Sequence, residues 1–214
     1  MKYFITLLVV LLVSCGGGSS TSPTTVVLGD SITLRTGQCS STDTLASCAA
    51  ADRDQSELSY ATYITDVVSN QGRGGDTCTT QASFGPGPFN SLPRGVLQRV
   101  QTSIALHPSQ ISVLIGINDL DAGWNVPVAD VISCITQVWD TISAAGIEPI
   151  ALTYGRMTAF TGWQQLNPLI RAEAAKRGLR VVDFETITYT SIDGIHPDLG
   201  TAEAMGALWM KTIR

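Results

Sequence analysis

An α/β fold with a parallel sheet covered on both faces is what this sequence predicts. Three observations carry the prediction. Short apolar, β-branched runs recur along the chain, as at Thr25-Val26-Val27-Leu28 and Ile111 to Ile115. Segments with apolar residues at helical spacing separate them, and such alternation argues for a parallel sheet. The 214 residues suit one domain with a sizeable core.

The elements follow in order. Thr25 to Leu28 reads as a buried strand that runs straight into Gly29-Asp30-Ser31-Ile32-Thr33. Residues 34 to 55 are polar and read as a loop insertion over the strand ends. A helix is expected from about Glu57 to Val67, with Leu58, Ala61, Ile64 and Val68 in register. A short strand follows near Val67 to Asn70, then a glycine-rich turn from Gly72 to Gly75. Residues 78 to 93 hold Gly85-Pro86-Gly87-Pro88 and are too rich in breakers to be regular.

Val96 to Leu106 is helical, with Val96, Leu97, Val100 and Ile104 apolar, and His107-Pro108 ends it. Ile111 to Ile115 is the next buried strand and carries Gly116-Ile117-Asn118-Asp119 at its end. Val128, Val131, Ile135, Val138 and Ile142 stripe a longer helix that stops near Gly146. Ile147 to Thr153 is the fourth strand, its first half weakened by Pro149. Trp163 to Arg177 is a helix closed by Gly178. Leu179 to Asp183 is the fifth strand, and a last helix runs from Leu199 to Ile213.

Composition narrows the function. The formal net charge is −5 and the chain has no Lys/Arg run, so nucleic acid is not an expected partner. No Gly-x-Gly-x-x-Gly follows the first strand, which removes a dinucleotide site. No internal repeat is present.

Residues 1–14 read as a signal peptide, because Lys2 precedes an apolar run from Tyr3 to Val13 broken only by Thr6. That run is shorter than the roughly 20 residues needed to span a bilayer. Leu12-Val13-Ser14-Cys15 resembles the lipobox of bacterial lipoproteins. The resemblance implies cleavage before Cys15 and lipid on its sulfur and new amino terminus. Residues 15–24 then form a lipidated tether rich in Gly, Ser and Thr, and 25–214 the folded domain. Gly16 after the cysteine resembles outer-membrane sorting if the host is Gram-negative. The membrane is thus expected to be a partner through the anchor alone.

Cys39, Cys48, Cys78 and Cys134 remain, an even number in an exported chain, which suggests disulfides. Three pairings are possible. Easy closure of a local loop favours Cys39–Cys48, which leaves Cys78–Cys134. No Cys-x-x-Cys occurs, so a metal site is not expected.

Four blocks now stand in order. They are Gly29-Asp30-Ser31, Asn70-Gln71-Gly72-Arg73-Gly74-Gly75-Asp76-Thr77, Gly116-Ile117-Asn118-Asp119 and Asp193-Gly194-Ile195-His196. In order and spacing they resemble the blocks of the SGNH (GDSL-type) hydrolases, over about residues 25 to 213. The resemblance implies a three-layer α/β/α fold with a five-stranded parallel sheet of flavodoxin-like order.

A serine hydroxyl is a weak nucleophile without a base. The chain has two histidines. His107 sits at a helix end before Pro108, in a stretch that resembles an ordinary connection, so His196 is the expected base for Ser31. Asp193, three residues before His196, can orient the ring and stabilise the imidazolium. Asp198 is a rival, but it lies beyond Pro197 and matches no family position. The resemblance assigns the oxyanion hole to the Ser31 backbone N–H, the Gly75 backbone N–H and the Asn118 amide. Gly75 has no Cβ, so a substrate can approach its N–H closely. Asp30, Asn70 and Asp119 read as groups that hold these loops. Read without the other blocks, Ser31 could equally be a helix N-cap, Asn118-Asp119 a turn and Asp193-Gly194 another.

The expected activity is hydrolysis of carboxylic esters through an acyl-enzyme, with no metal or cofactor. Short acyl or acetyl groups on a hydrated alcohol such as a carbohydrate are favoured, because residues 78–93 contain no amphipathic lid helix. Lysophospholipid or long-chain esters, acyl transfer to a sugar hydroxyl, and a catalytically inactive lipid-anchored binding protein are the alternatives. A monomer is expected.

Overall fold

A computed structural model of the chain describes residues 24–34, 59–79, 95–120 and 125–214. The signal peptide, Cys15, Cys39, Cys48 and most of the 78–93 segment lie outside the described residues. Five strands form one sheet: β1 (Thr25–Gly29), β2 (Val67–Gly72), β3 (Gln110–Leu114), β4 (Glu148–Leu152) and β5 (Val181–Val182). Every pairing is parallel and the order is β2-β1-β3-β4-β5. This is the flavodoxin-like order that the family resemblance implied. The chain leaves β1 in one direction for β2 and returns past β1 to β3. The crevice between β1 and β3 is therefore the switch point where such sheets place ligands.

The helices are α1 (Ser31–Leu34), α2 (Val96–Ile104), α3 (Val128–Ala144), α4 (Trp163–Arg177) and α5 (Leu199–Ile213). α3 packs between α2 and α4 on one face of the sheet. α1 and α5 pack against the 3₁₀ turn Tyr60–Tyr63 on the other. β1 and β3 are buried along their whole length, as expected for strands covered on both faces. Trp139 of α3 and Trp209 of α5 are fully buried. The Trp209 indole N–H donates to Ser112 Oγ of β3 at 2.8 Å, so the central strand supplies the partner a buried indole needs.

Local sequence explains the element ends. Gly178 takes φ 65° and closes α4, while the Asp198 side chain accepts from Thr201 N and opens α5. Pro149 is tolerated inside β4 for a positional reason. Glu148 N donates toward β3, to Ser109 O, and Ala151 N donates toward β5, to Arg180 O. By the two-residue period the Pro149 nitrogen faces the β5 side, where pairing begins only at Ala151 opposite Val181.

Two expectations are corrected. The helix expected over 57–67 is, among the described residues, only the 3₁₀ turn Tyr60–Tyr63, capped by Ser59. Asp66 at φ 68° then turns the chain into β2. The fifth strand is two residues long rather than five, because it is an edge strand paired only to β4. Among the described residues no helix is long and apolar enough to cross a membrane.

Candidate active site

The carboxyl ends of β1, β2 and β3 carry the first three blocks. β1 ends at Gly29, and Asp30 N still donates to Leu114 O of β3. Ser31 begins α1. The capping bond of that turn is made by Asp30, whose Oδ1 accepts from Ile32 N at 2.9 Å. The Ser31 hydroxyl does not serve as the cap. It lies 2.9 Å from His196 Nε2.

His196 is placed by a short loop. An antiparallel bridge joins Ser191 to Pro197, and Ile192 N donates to His196 O. Gly194, at φ 86°, makes the turn, and its carbonyl accepts from Thr158 N and Ala159 N. A Cβ at Gly194 would lie 2.6 Å from that of Ala159, so both conformation and space require glycine. The Tyr189 hydroxyl holds the loop from beneath, donating to Ile195 O at 2.6 Å.

Asp193 Oδ2 lies 2.6 Å from His196 Nδ1, and Asp193 Oδ1 accepts from the backbone N–H groups of Ile195 and His196. Partial burial alone would raise this carboxyl. The bonds from the His196 ring and the two backbone groups outweigh it and hold Asp193 below its ordinary value. Ser31, His196 and Asp193 are therefore brought into one line. Asp198 is spent on capping α5 and on Thr190, and His107 is exposed before the amino end of β3, at the opposite end of the sheet.

The glycine-rich turn after β2 is tied to the same place. Arg73 N donates to Gly29 O, and Asp76 N to Arg73 O. Gly75 between them has φ 65°. The Asn118 amide donates to Asp76 O at 2.8 Å. The remaining expected supports are engaged. Asn70 accepts from Gly72 N and donates to Thr33 O. Asp119 accepts from Cys78 N, Thr79 N and the Thr79 hydroxyl. A disulfide joins Cys78 to Cys134 of α3.

Three residues of this site were not singled out from the sequence. Arg99 of α2, 8 % exposed, pairs with buried Asp76 and also donates to Gln71 O and Gly29 O. Tyr154 at the end of β4 donates to Asp30 Oδ2 at 2.7 Å. Tyr189 is the third. Arg99 escapes notice because the apolar stripe of α2 reads through Val96, Leu97, Val100 and Ile104, whereas the buried face includes Arg99. Tyr154 gives no signal, because its partner Asp30 lies 124 residues away. Tyr189, though only six residues from Ile195, falls in no block and no periodic run.

An open groove of about 520 Å³ lies beside the histidine loop, lined by apolar Val126 and Phe160 and by polar Asn125, Thr161 and Gln165 as well as Ala159. Ala159 joins it to the histidine loop through its bond to Gly194. Among the described residues no group of three or more His, Cys, Asp or Glu is arranged to hold a metal ion.

Solved structures share this architecture. A carbohydrate acetylesterase family member from Sinorhizobium meliloti superposes with TM-score 0.69 at 18% identity, covering 90% of this chain and 97% of its own. The aryl esterase of M. smegmatis gives 0.67 at 13% identity, covering 90% and 99%. The lipase/acylhydrolase from Enterococcus faecalis gives 0.60 at 21% identity, covering 89% and 95%. A search of the curated proteins found no significant match. A model of the GDSL-like Lipase/Acylhydrolase family matches residues 27–201, from β1 through the histidine loop into α5, and the chain belongs to that family of ester hydrolases.

Proposed function

We propose that the protein is a serine esterase that hydrolyses short acyl or acetyl esters through Ser31, His196 and Asp193. The observation that carries this reading is the continuous chain of polar contacts from Ser31 Oγ through both nitrogens of His196 to Asp193. His196 Nε2 takes the Ser31 proton as Oγ attacks the ester carbonyl. Negative charge collects on the carbonyl oxygen, and donors from Ser31 N–H, Gly75 N–H and the Asn118 amide stabilise it. A carboxamide has two N–H bonds, so Asn118 can hold Asp76 O with one and the oxyanion with the other. The tetrahedral intermediate collapses, the C–O bond breaks and the alcohol leaves with the proton from His196. Water, deprotonated by His196, then releases the acid and restores Ser31.

The acetyl preference draws on the polar, Gly/Pro-rich composition of residues 78–93 and on the likeness to a carbohydrate acetylesterase family member. The test is a series of p-nitrophenyl esters of rising chain length beside acetylated sugars, with wild type and Ser31→Ala. Activity that falls with chain length and vanishes in a folded Ser31→Ala protein supports the reading. A kcat/KM that climbs with chain length would give the groove to a long acyl chain and the enzyme to lipid esters.

The lipobox-like segment supports a second part of the proposal: export, and anchoring of the enzyme to the cell envelope by lipid on Cys15. Cys15→Ser, which removes the thiol that would carry the lipid, should abolish lipid labelling. A soluble periplasmic wild-type product would overturn the anchor.

A further inference from the structure

The Tyr154 hydroxyl occupies the point where the β1 and β3 loops meet. It donates to Asp30 Oδ2 at 2.7 Å and accepts from Ile117 N at 3.3 Å. Asp30 Oδ1 accepts from Ile32 N. The residues before and after Ser31 thus share one carboxylate, and the residue before Asn118 bonds to the hydroxyl that closes it.

Tyr154 is itself fixed. Its backbone N–H donates to Asn167 Oδ1 and its carbonyl accepts from Asn167 Nδ2, both at 2.9 Å. Its side chain is 1% exposed and Asp30 is 0% exposed. Phenylalanine would fill this volume equally well, so packing does not explain the hydroxyl. Both of its partners adjoin a residue of the site.

We propose that Tyr154 is a positioning residue that sets the separation of Ser31 from Asn118, acting through Asp30. The inference rests on the reading of Ser31 as nucleophile and Asn118 as oxyanion donor.

The network needs Asp30 ionised. Both groups bonded to it donate, so a proton on Oδ1 would oppose Ile32 N–H. One on Oδ2 would reverse the Tyr154 bond and leave that hydroxyl accepting from both Asp30 and Ile117 N. Burial pushes the Asp30 carboxyl up to about 6, against the bonds from Tyr154 and Ile32 and the influence of His196. The other charged or titratable groups facing the pair are Asp76, Arg99, Tyr60, Tyr189 and Asp119. Loss of the hydroxyl removes a donor and raises Asp30 further, which moves the acidic edge of activity upward.

The experiment measures kcat, KM and melting temperature with p-nitrophenyl acetate, from about pH 5 to about pH 9, for Tyr154→Phe, Asp30→Asn and the double variant. Tyr154→Phe should lose roughly tenfold to a hundredfold in kcat, keep KM within about twofold and shift its acid limb upward. The double variant should be no more than about twofold worse than the poorer single one. An unchanged kcat and acid limb, whatever the melting temperature, would overturn the proposal, as would losses that multiply in the double variant. If Tyr154→Phe does not fold, an Asp30→Asn acid limb still at the wild-type position overturns it. Ser31→Ala run alongside separates the cases. An active Ser31→Ala protein sinks the nucleophile, whereas an inactive one beside normal Tyr154→Phe sinks only this inference.

Discussion

Ser31 and His196 are 165 residues apart in sequence, yet Oγ and Nε2 lie 2.9 Å apart. Two independent structures enforce the approach. β1 delivers Ser31 to the switch point, and the Ser191–Pro197 bridge, Gly194 and Tyr189 hold His196 over it.

His196→Ala should therefore lower kcat by ~10⁴–10⁶-fold in a folded protein. His107→Ala should leave kcat/KM unchanged, because His107 is exposed near the amino end of β3. Circular dichroism and ester hydrolysis on both variants check this. A reversal of the two effects would make His107 the base and overturn the assignment to His196.

Asn118 makes a finer prediction. An oxyanion donor acts mainly as charge builds on the carbonyl oxygen, so Asn118→Ala should lower kcat by ~10²–10³-fold with KM nearly unchanged. Asn118→Asp should be at least as damaging, since it brings an acceptor and a charge. Its bond to Asp76 O gives Asn118 a structural task as well. Some loss of melting temperature is expected in both variants. Intact kcat with a lower melting point would leave the oxyanion to Ser31 and Gly75.

The end of α4 could be read from the sequence, because Gly178 is a local signal that tertiary contacts do not override, whereas Asp198, a rival to Asp193 in the sequence, caps α5. The blocks singled out Ser31, Asn118, Asp193 and His196, and in the structure Ser31, His196 and Asp193 touch in turn. The 57–67 segment misled, since Leu58, Ala61, Ile64 and Val68 fit helical spacing while Asp66 adopts a left-handed turn before β2. Arg99 was hidden by a stripe read as Val96, Leu97, Val100 and Ile104. The face that α2 buries is Val96, Arg99, Val100 and Ser103. What periodicity cannot show is a cation whose partners, Asp76, Gln71 and Gly29, lie on other elements.

That cation gives the third prediction. Arg99 bridges the ends of β1 and β2 and neutralises Asp76, which is 2% exposed. Arg99→Met leaves the buried Asp76 carboxylate without a cation, held by the Thr77 and Gly95 N–H groups, and should cost about 3–5 kcal/mol. That corresponds to a melting temperature lower by roughly 10 °C. Adding Asp76→Asn should recover part of the loss, because the pair is coupled. A singly substituted protein that melts with wild type would remove Arg99 from the support of the site.

Asp30 sets a pH dependence of stability whose sign is opposite to that of the paired carboxylates. Its folded-state value is raised to about 6 from an ordinary 3.8, chiefly by burial. The folded protein therefore holds a proton there that the unfolded chain has released. Stability from this group is fully present below about pH 4 and is lost as pH rises through about 6. The change amounts to about 3 kcal/mol, at 1.36 kcal/mol for each pH unit of displacement. Asp193, Asp183 and Glu185 are lowered by their partners against the effect of burial, and their stabilisation is lost as pH falls. Those three are common to wild type and Asp30→Asn, so a comparison of the two proteins isolates Asp30. The melting temperature of Asp30→Asn minus that of wild type should grow by several degrees between about pH 4 and about pH 7.5. Over the same range the variant should be the poorer enzyme, since asparagine cannot accept from both Ile32 and Tyr154 as the carboxylate does. Melting curves across that range decide the matter. A difference that stays flat with pH would mean that Asp30 folds with its ordinary titration.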